Sequence, residues 1–445
     1  MTSTMSDRQE VIRDLETQLA KTPRTSKPME HAALAYRLGM AHAETTGTAQ
    51  EGLRKALSYF DVAAGIFDPR HDPVEHARVL NAAGSVHRSL GNRKKALELF
   101  TKAVDLFEGK EDREDELAAA LNNLGLTRNE LGQFDAAVQA FDRAVDLFDI
   151  TEAQGRRGKV ATLANRGAAH AALGTKEGLE AALADYEEAQ ADVDIEEAPY
   201  HFAFLQHSMG VAFSALANLS PDERERLLQE AVAAFKESLN VFLRGTMPYQ
   251  FALAKHNLGL AYVGLGGVPN QRRALAAFED TVGMLDTRVH GDAWRQAYGN
   301  MERVDNDLKV QFPGMTRIEH FVALCASVKH DELLSLLRER IHHYMALNEP
   351  QRSQFLTELD LAMARYEFQQ ARQLMEAELN IVIELPNDRL EVALSARHRA
   401  HQQIEDEEKR LVADQALDQA IGDALGGPQR VLTRDFLGGI GWERP

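Results

Sequence analysis

A chain of 445 residues with 44% apolar residues and a net charge of −18 carries ample material for buried faces, which excludes general disorder. Its acidity repels a free nucleic-acid backbone, and no basic run is long enough to offset it. A single cysteine, Cys325, excludes an intrachain disulfide or thiolate cluster and fits a reducing compartment.

Aromatic residues are sparse while Ala and Leu dominate the apolar set, so helices are expected over sheets. The start, Met1 to Gln9, is polar, and no apolar run approaches the roughly 18 residues of a membrane span. A cytoplasmic protein without membrane contact is expected. Residues 1–29 read as an N-terminal helical segment.

From about residue 30 to 311 a repeat takes over. Gly39, Gly84, Gly125, Gly167, Gly210, Gly259 and Gly299 recur at intervals of 40 to 49 residues, each in an apolar helical frame. Such self-similarity marks stacked supersecondary units. Two units fit one template closely. After Gly84 come Ala96, Phe100 and Ala103; after Gly125 come Ala137, Phe141 and Ala144, at identical offsets. Glycine in a first helix lets a second approach, small residues on the second do the same, and the aromatic fills the wedge. Others follow with longer turns: Ala56, Phe60 and Ala63; Ala182, Tyr186 and Ala189; Ala231 and Phe235; Ala274 and Phe278. Around Gly299 a first helix has only a weak partner.

A second register supports the count. Pro28, Pro73, Pro199 and Pro248 each lie 11 residues before a signature glycine, where a helix's first turn tolerates proline. Asp72 with Glu75 reads as a capping box. Pro199-Tyr200-His201-Phe202-Ala203 and Pro248-Tyr249-Gln250-Phe251-Ala252 are near copies.

The pattern resembles the tetratricopeptide repeat family over roughly residues 30–310, as a long-period variant that lacks the family's tryptophan except at Trp294. The resemblance implies an all-α right-handed superhelix of six to seven helix-turn-helix units, with the first helix of each unit lining a concave groove. Three residues before each glycine the lining then reads Tyr36, Asn81, Asn122, Ala164, His207, His256 and Gln296. Four residues after it stand Arg88 and Asn129. Asn and Gln carry both a donor and an acceptor suited to a peptide backbone. No lysine-rich clamp for a C-terminal carboxylate is evident.

After about residue 312 the glycine period stops at Phe312-Pro313-Gly314. Residues 312–425 form a helical C-terminal region, with helices expected at Ile318–Val328, Glu332–Met345 and Gln351–Leu379. Leu385-Pro386-Asn387-Asp388 separates these from a last helix, Arg389–Leu425, which either folds back on 351–379 or pairs with another copy. Residues 426–445 form a glycine-rich tail whose Phe436 and Trp442 are expected to make a contact, on its own body or on a partner.

No chemistry-bearing constellation stands out. His71 and His76 are five apart across Pro73, which does not suit a zinc-protease helix. His342 and His343 are adjacent and diverge by roughly 100° on a helix. His398 and His401 read as surface histidines without a further ligand. Gly264-Leu265-Gly266-Gly267 occupies an inter-helix turn, and Cys325 lies in an apolar helix. No metal, cofactor or catalytic residue is expected. The expected function is a non-catalytic scaffold or adaptor gripping a protein or peptide in the groove, as an aid to assembly of a larger complex. A ligand-responsive regulator and a homo-oligomer built through the C-terminal helices are the alternatives.

Overall fold

The computed structural model describes residues 5–45, 50–345, 347–382, 384 and 387–445, and helices are the only regular structure among them. The chain divides into two compact units, Met1–Ala234 and Phe235–Pro445.

The first unit opens with α1 (Met5–Ala20). Four helical hairpins follow: α2 (Pro28–Thr45) with α3 (Gln50–Ala64), α4 (Pro73–Ser89) with α5 (Arg93–Phe107), α6 (Glu114–Glu130) with α7 (Phe134–Val145), and α8 (Ala153–Ala172) with α9 (Lys176–Ala191). Next come α10 (Pro199–Leu219), a short 3-10 turn and α11 (Arg224–Leu239), within which the two units divide. In the second unit α12 (Pro248–Leu265) pairs with α13 (Val268–Met284), and α13 also carries α14 (Gly291–Gln311).

What joins each hairpin is the glycine–aromatic contact. A Cβ placed on Gly39, Gly84, Gly125 or Gly167 would lie 2.4, 2.7, 2.6 or 2.6 Å from the ring of Phe60, Phe100, Phe141 or Tyr186. On Gly259 it would lie 2.7 Å from Phe278. These rings are themselves buried, so only glycine admits them. Gly299 departs from the series: nothing comes within 4 Å of its missing Cβ. No aromatic follows it at the right offset, so it keeps the period without the contact.

Pro73, Pro199 and Pro248 occupy the first turns of their helices, as the register predicts. The capping box at Asp72 does not form: the Asp72 side chain accepts from the Asp68 amide at 3.2 Å instead. A capping box does form at Thr316 and Glu319, where the spacing Thr-x-x-Glu was legible. Within the first unit, successive first helices (α2, α4, α6, α8 and α10) pack on one another more closely than successive second helices do. The first helices therefore form its closely spaced inner face.

The rest of the second unit is α15 (Arg317–Cys325), α16 (His330–Met345), α17 (Glu349–Met363), α18 (Phe368–Val382), α19 (Asn387–Gln402), α20 (Glu407–Ala424) and α21 (Gly427–Gly439). Both long helices expected here are each broken in two. Asp406 caps α20 by accepting from the amides of Glu408 and Lys409 at 3.0 and 3.2 Å, which ends the preceding helix. The pieces fold back pairwise, α19 on α17 and α20 on α18, around Leu359, Met375, Leu379, Leu417 and Ile421. Residues 385 and 386 and the side chains of His342 and His343 lie outside the described residues.

The glycine-rich tail is helical over most of its length. Pro428 sits in the first turn of α21, and Gly441, at φ +92°, closes its C-terminus. Leu437 and Trp442 are buried on the chain's own core, with Phe436 half-buried beside them. The Trp442 indole donates to Asp414 at 2.9 Å, and His401 shares that carboxylate at 2.7 Å. His398 and His401, read as surface residues, are buried. Burial pushes the His401 pKa down, and Asp414 opposes this.

Candidate interaction site

The first unit's inner face holds a cavity of about 590 Å³ between α2, α4 and α6. Its floor is apolar, including Met40, Leu53, Phe60 and Phe107; Tyr36, Asn81 and an Arg78–Glu116 ion pair at 2.5 Å supply the polar edge. The Tyr36 ring leans on Phe60 at 6.0 Å between centroids. Burial raises the pKa of its hydroxyl, so Tyr36 presents a neutral donor. Two of the sequence-predicted lining residues, Tyr36 and Asn81, therefore meet at one concave site.

The asparagines do more than line it. Asn123 donates to the Asn81 side-chain oxygen at 3.0 Å, and Asn165 donates to that of Asn122 at 2.9 Å. Each asparagine three before a glycine is thus tied to the asparagine two before the next glycine. This ladder links first helices across hairpins and fixes the orientation of the amides. Asn123 and Asn165 were missed by the sequence reading, although their own spacing to Gly125 and Gly167 repeats.

Other predicted positions fall elsewhere. Arg88 is half-buried, 3.9 Å from Glu130. Asn129 is half-buried with its side-chain oxygen enclosed. His207 is half-buried on α10. In the second unit His256 is only 7% exposed and tilts against Phe278 at 5.5 Å, so it belongs to the interior of its hairpin. Gln296 is exposed on α14. The reason is helical phase. The most open row of a first helix lies ten and six residues before the glycine and one after it, about 40° around the helix from the predicted row. On α10 this row is Tyr200, Phe204 and Val211; on α12 it is Tyr249, Leu253 and Leu260. The near-copy Pro-Tyr segments were its visible trace.

Electrostatic clips brace the inner face. Arg166 reaches Asp185 at 2.6 Å and Asp142 at 2.9 Å, and His170 meets Asp185 at 2.8 Å. His207 is instead desolvated: burial pulls its pKa down to about 4, against about 6.5 in an unfolded chain. The folded state thus favours the neutral ring. Its contribution to stability is complete above pH 6.5 and is lost as the pH falls from there toward 4. His207→Gln is expected to flatten the fall of the melting temperature between pH 7 and pH 4.5; an unchanged slope would place the pH sensitivity elsewhere.

The fold and this face define a helical-hairpin repeat protein. Residues 75–150 match the family model described as Tetratricopeptide repeat, over the two hairpins α4–α5 and α6–α7. Tetratricopeptide repeats are thus assigned to residues 75–150, and the match is confined to these two hairpins. No curated protein matches it significantly. Among solved structures it is similar to the C-terminal part of a tetratricopeptide repeat-containing protein from Cytophaga hutchinsonii, at 13% identity and a TM-score of 0.41, over 66% of this chain and 95% of that one. It is similar to a tetratricopeptide repeat protein from Parabacteroides merdae at 17% identity and a TM-score of 0.38, over 66% and 93%. A Rap protein complexed with competence and sporulation factor aligns at 12% identity and a TM-score of 0.39, over 70% and 83%. At these scores none carries a functional inference. Repeats of this family generally mediate protein–protein interactions. No helix among the described residues is long and apolar enough to cross a membrane.

Proposed function

We propose that this chain is a non-catalytic scaffold or adaptor that holds a protein or peptide partner on the first-helix face of its N-terminal unit. One observation carries this reading: the cavity between α2, α4 and α6 joins an apolar floor to a polar edge of Tyr36, the Arg78–Glu116 pair and an Asn81 amide held in place by Asn123. An apolar anchor fills the floor, and backbone amides of the partner meet Tyr36 and Asn81. Affinity in such sites comes from a few buried anchors, and the polar groups set register.

Ala119 lies on the rim and is exposed, so a bulky side chain there obstructs the cavity without entering the core. Ala119→Trp is expected to remove the proteins captured from native cell extract by the full-length chain, with an unchanged melting temperature. Capture of the same proteins at the same yield overturns the assignment.

A further inference from the structure

The open row on α10 differs from the cavity in kind. Tyr200, Phe204 and Val211 are 51%, 45% and 43% exposed, and they fall within a narrow arc of one helix over about 16 Å. The helix around them, Pro199 to Leu219, contains no Asp, Glu, Lys or Arg. His207 lies beside this row, about 40° around the helix, and is held neutral by burial. Neighbouring α8 touches α10 and presents Ala161, Ala164 and Ala168 in the matching register. A low alanine wall beside a high aromatic one makes a trough into which a second backbone can settle.

Charge selects what settles there. Immediately before Tyr200 the chain exposes Asp192, Asp194, Glu196 and Glu197, and none of them pairs with a cation of a described residue. Exposed Arg156 and Arg157, at the corresponding end of α8, are the opposing charges. Four carboxylates against two guanidiniums leave that end of the trough net negative. The same acidity that repels anionic partners steers cationic ones.

We infer that this trough docks a basic amphipathic helix of a partner protein, its apolar stripe on Tyr200, Phe204 and Val211 and its Lys/Arg residues over 192–197. The helical form follows from the spacing. Intervals of four and seven residues along the row match the stripe of an apposed helix, and alanines permit the close interaxial distance of packed helices. The inference rests on the reading that this face binds proteins, but it uses residues outside the α2–α4–α6 cavity.

The test uses full-length protein and two fluorescent helical peptides of about 18 residues, roughly 27 Å long. One carries Leu on a single stripe and Lys elsewhere; the other replaces each Lys by Glu. Anisotropy titrations are expected to show the Leu/Lys peptide binding more than tenfold more tightly than the Leu/Glu peptide, with affinity falling as salt rises. Phe204→Asp makes the surface more acidic yet is expected to abolish Leu/Lys binding, which separates docking from general attraction; Tyr200→Ala is a milder second variant. The combined Asp194→Asn, Glu196→Gln and Glu197→Gln change is expected to weaken binding severalfold and flatten its salt dependence. Circular dichroism checks that each variant is folded. Equal binding of both peptides, or Leu/Lys binding indifferent to both Phe204→Asp and Tyr200→Ala, overturns the inference. Ala119→Trp is expected to leave peptide binding intact. Loss of partner capture on Ala119→Trp alone, with no effect of Phe204→Asp, would leave the proposed function standing without this second site.

Discussion

Arg397→Met is expected to destabilise the C-terminal unit by about 3–5 kcal/mol, the usual cost of removing one partner from a buried ion set. Arg397 is 2% exposed. It donates to Asp360 at 2.9 Å and pairs with Glu378, and both carboxylates are equally enclosed. Methionine fills a similar volume but leaves two carboxylates facing each other without a cation. The set is already strained in charge: burial pushes the Asp360 pKa up to about 7, with Arg397 opposing and Glu378 adding to the rise. A folded pKa above the unfolded value means that this carboxyl's contribution is present in full below its unfolded pKa. It is lost as the pH rises through about 7. Without Arg397 that loss is expected to steepen. Both tryptophans, Trp294 and Trp442, lie in this unit, so urea unfolding followed by tryptophan fluorescence at pH 6 and pH 8 reads it directly. Replacing all three groups together (Arg397→Met, Asp360→Leu, Glu378→Leu) is expected to recover most of the loss, because no uncompensated charge then remains. An Arg397→Met transition at the wild-type midpoint, at both pH values, would show that the set is solvated and contributes nothing.

This ion set also shows where sequence reading ends. Arg397 stands in a run with His398, Arg399 and His401, which reads as a solvated helix face. It is buried because α17, α18 and α20 close around it, and that closure depends on breaks the reading missed. Asp406 looks like one more acid among Glu405, Glu407 and Glu408, yet it is the residue that caps α20. The repeat region was legible for the opposite reason. A glycine and an aromatic at near-fixed spacing are each replaceable by almost nothing else, so their physical demand is written in residue type. The groove row sat between these cases. Its helices were correctly placed, but its phase was read from asparagines that bond across hairpins, while the open row consisted of ordinary Tyr, Phe, Leu and Val. Which flank of a helix the next hairpin covers is a property of packing, and a 40° error in phase moves His256 from a groove wall to a hairpin interior.

If the glycine–aromatic contact is what sets hairpin spacing, two chemically identical substitutions should have opposite signs. Gly125→Ala adds a Cβ at 2.6 Å from Cε1 of the Phe141 ring, which is fully buried. Alanine gains up to about 1 kcal/mol in helix propensity over glycine, but forcing a methyl into a filled core costs about 1–3 kcal/mol, and the clash is with a ring that has nowhere to go. A net loss of stability is expected. Gly299→Ala meets no atom within 4 Å and lies in mid-helix on α14, so the propensity gain stands alone and the melting temperature should rise. Phe141→Ala by itself is expected to cost about 3–5 kcal/mol, as for other fully buried phenylalanines. In the double variant Gly125→Ala/Phe141→Ala the new methyl partly fills the vacated space, so the combined loss should fall short of the sum of the single losses. That non-additivity is the signature of direct contact. Additive losses, or a Gly299→Ala variant destabilised as much as Gly125→Ala, would mean that the glycines mark helix flexibility and that the rings set no spacing at all.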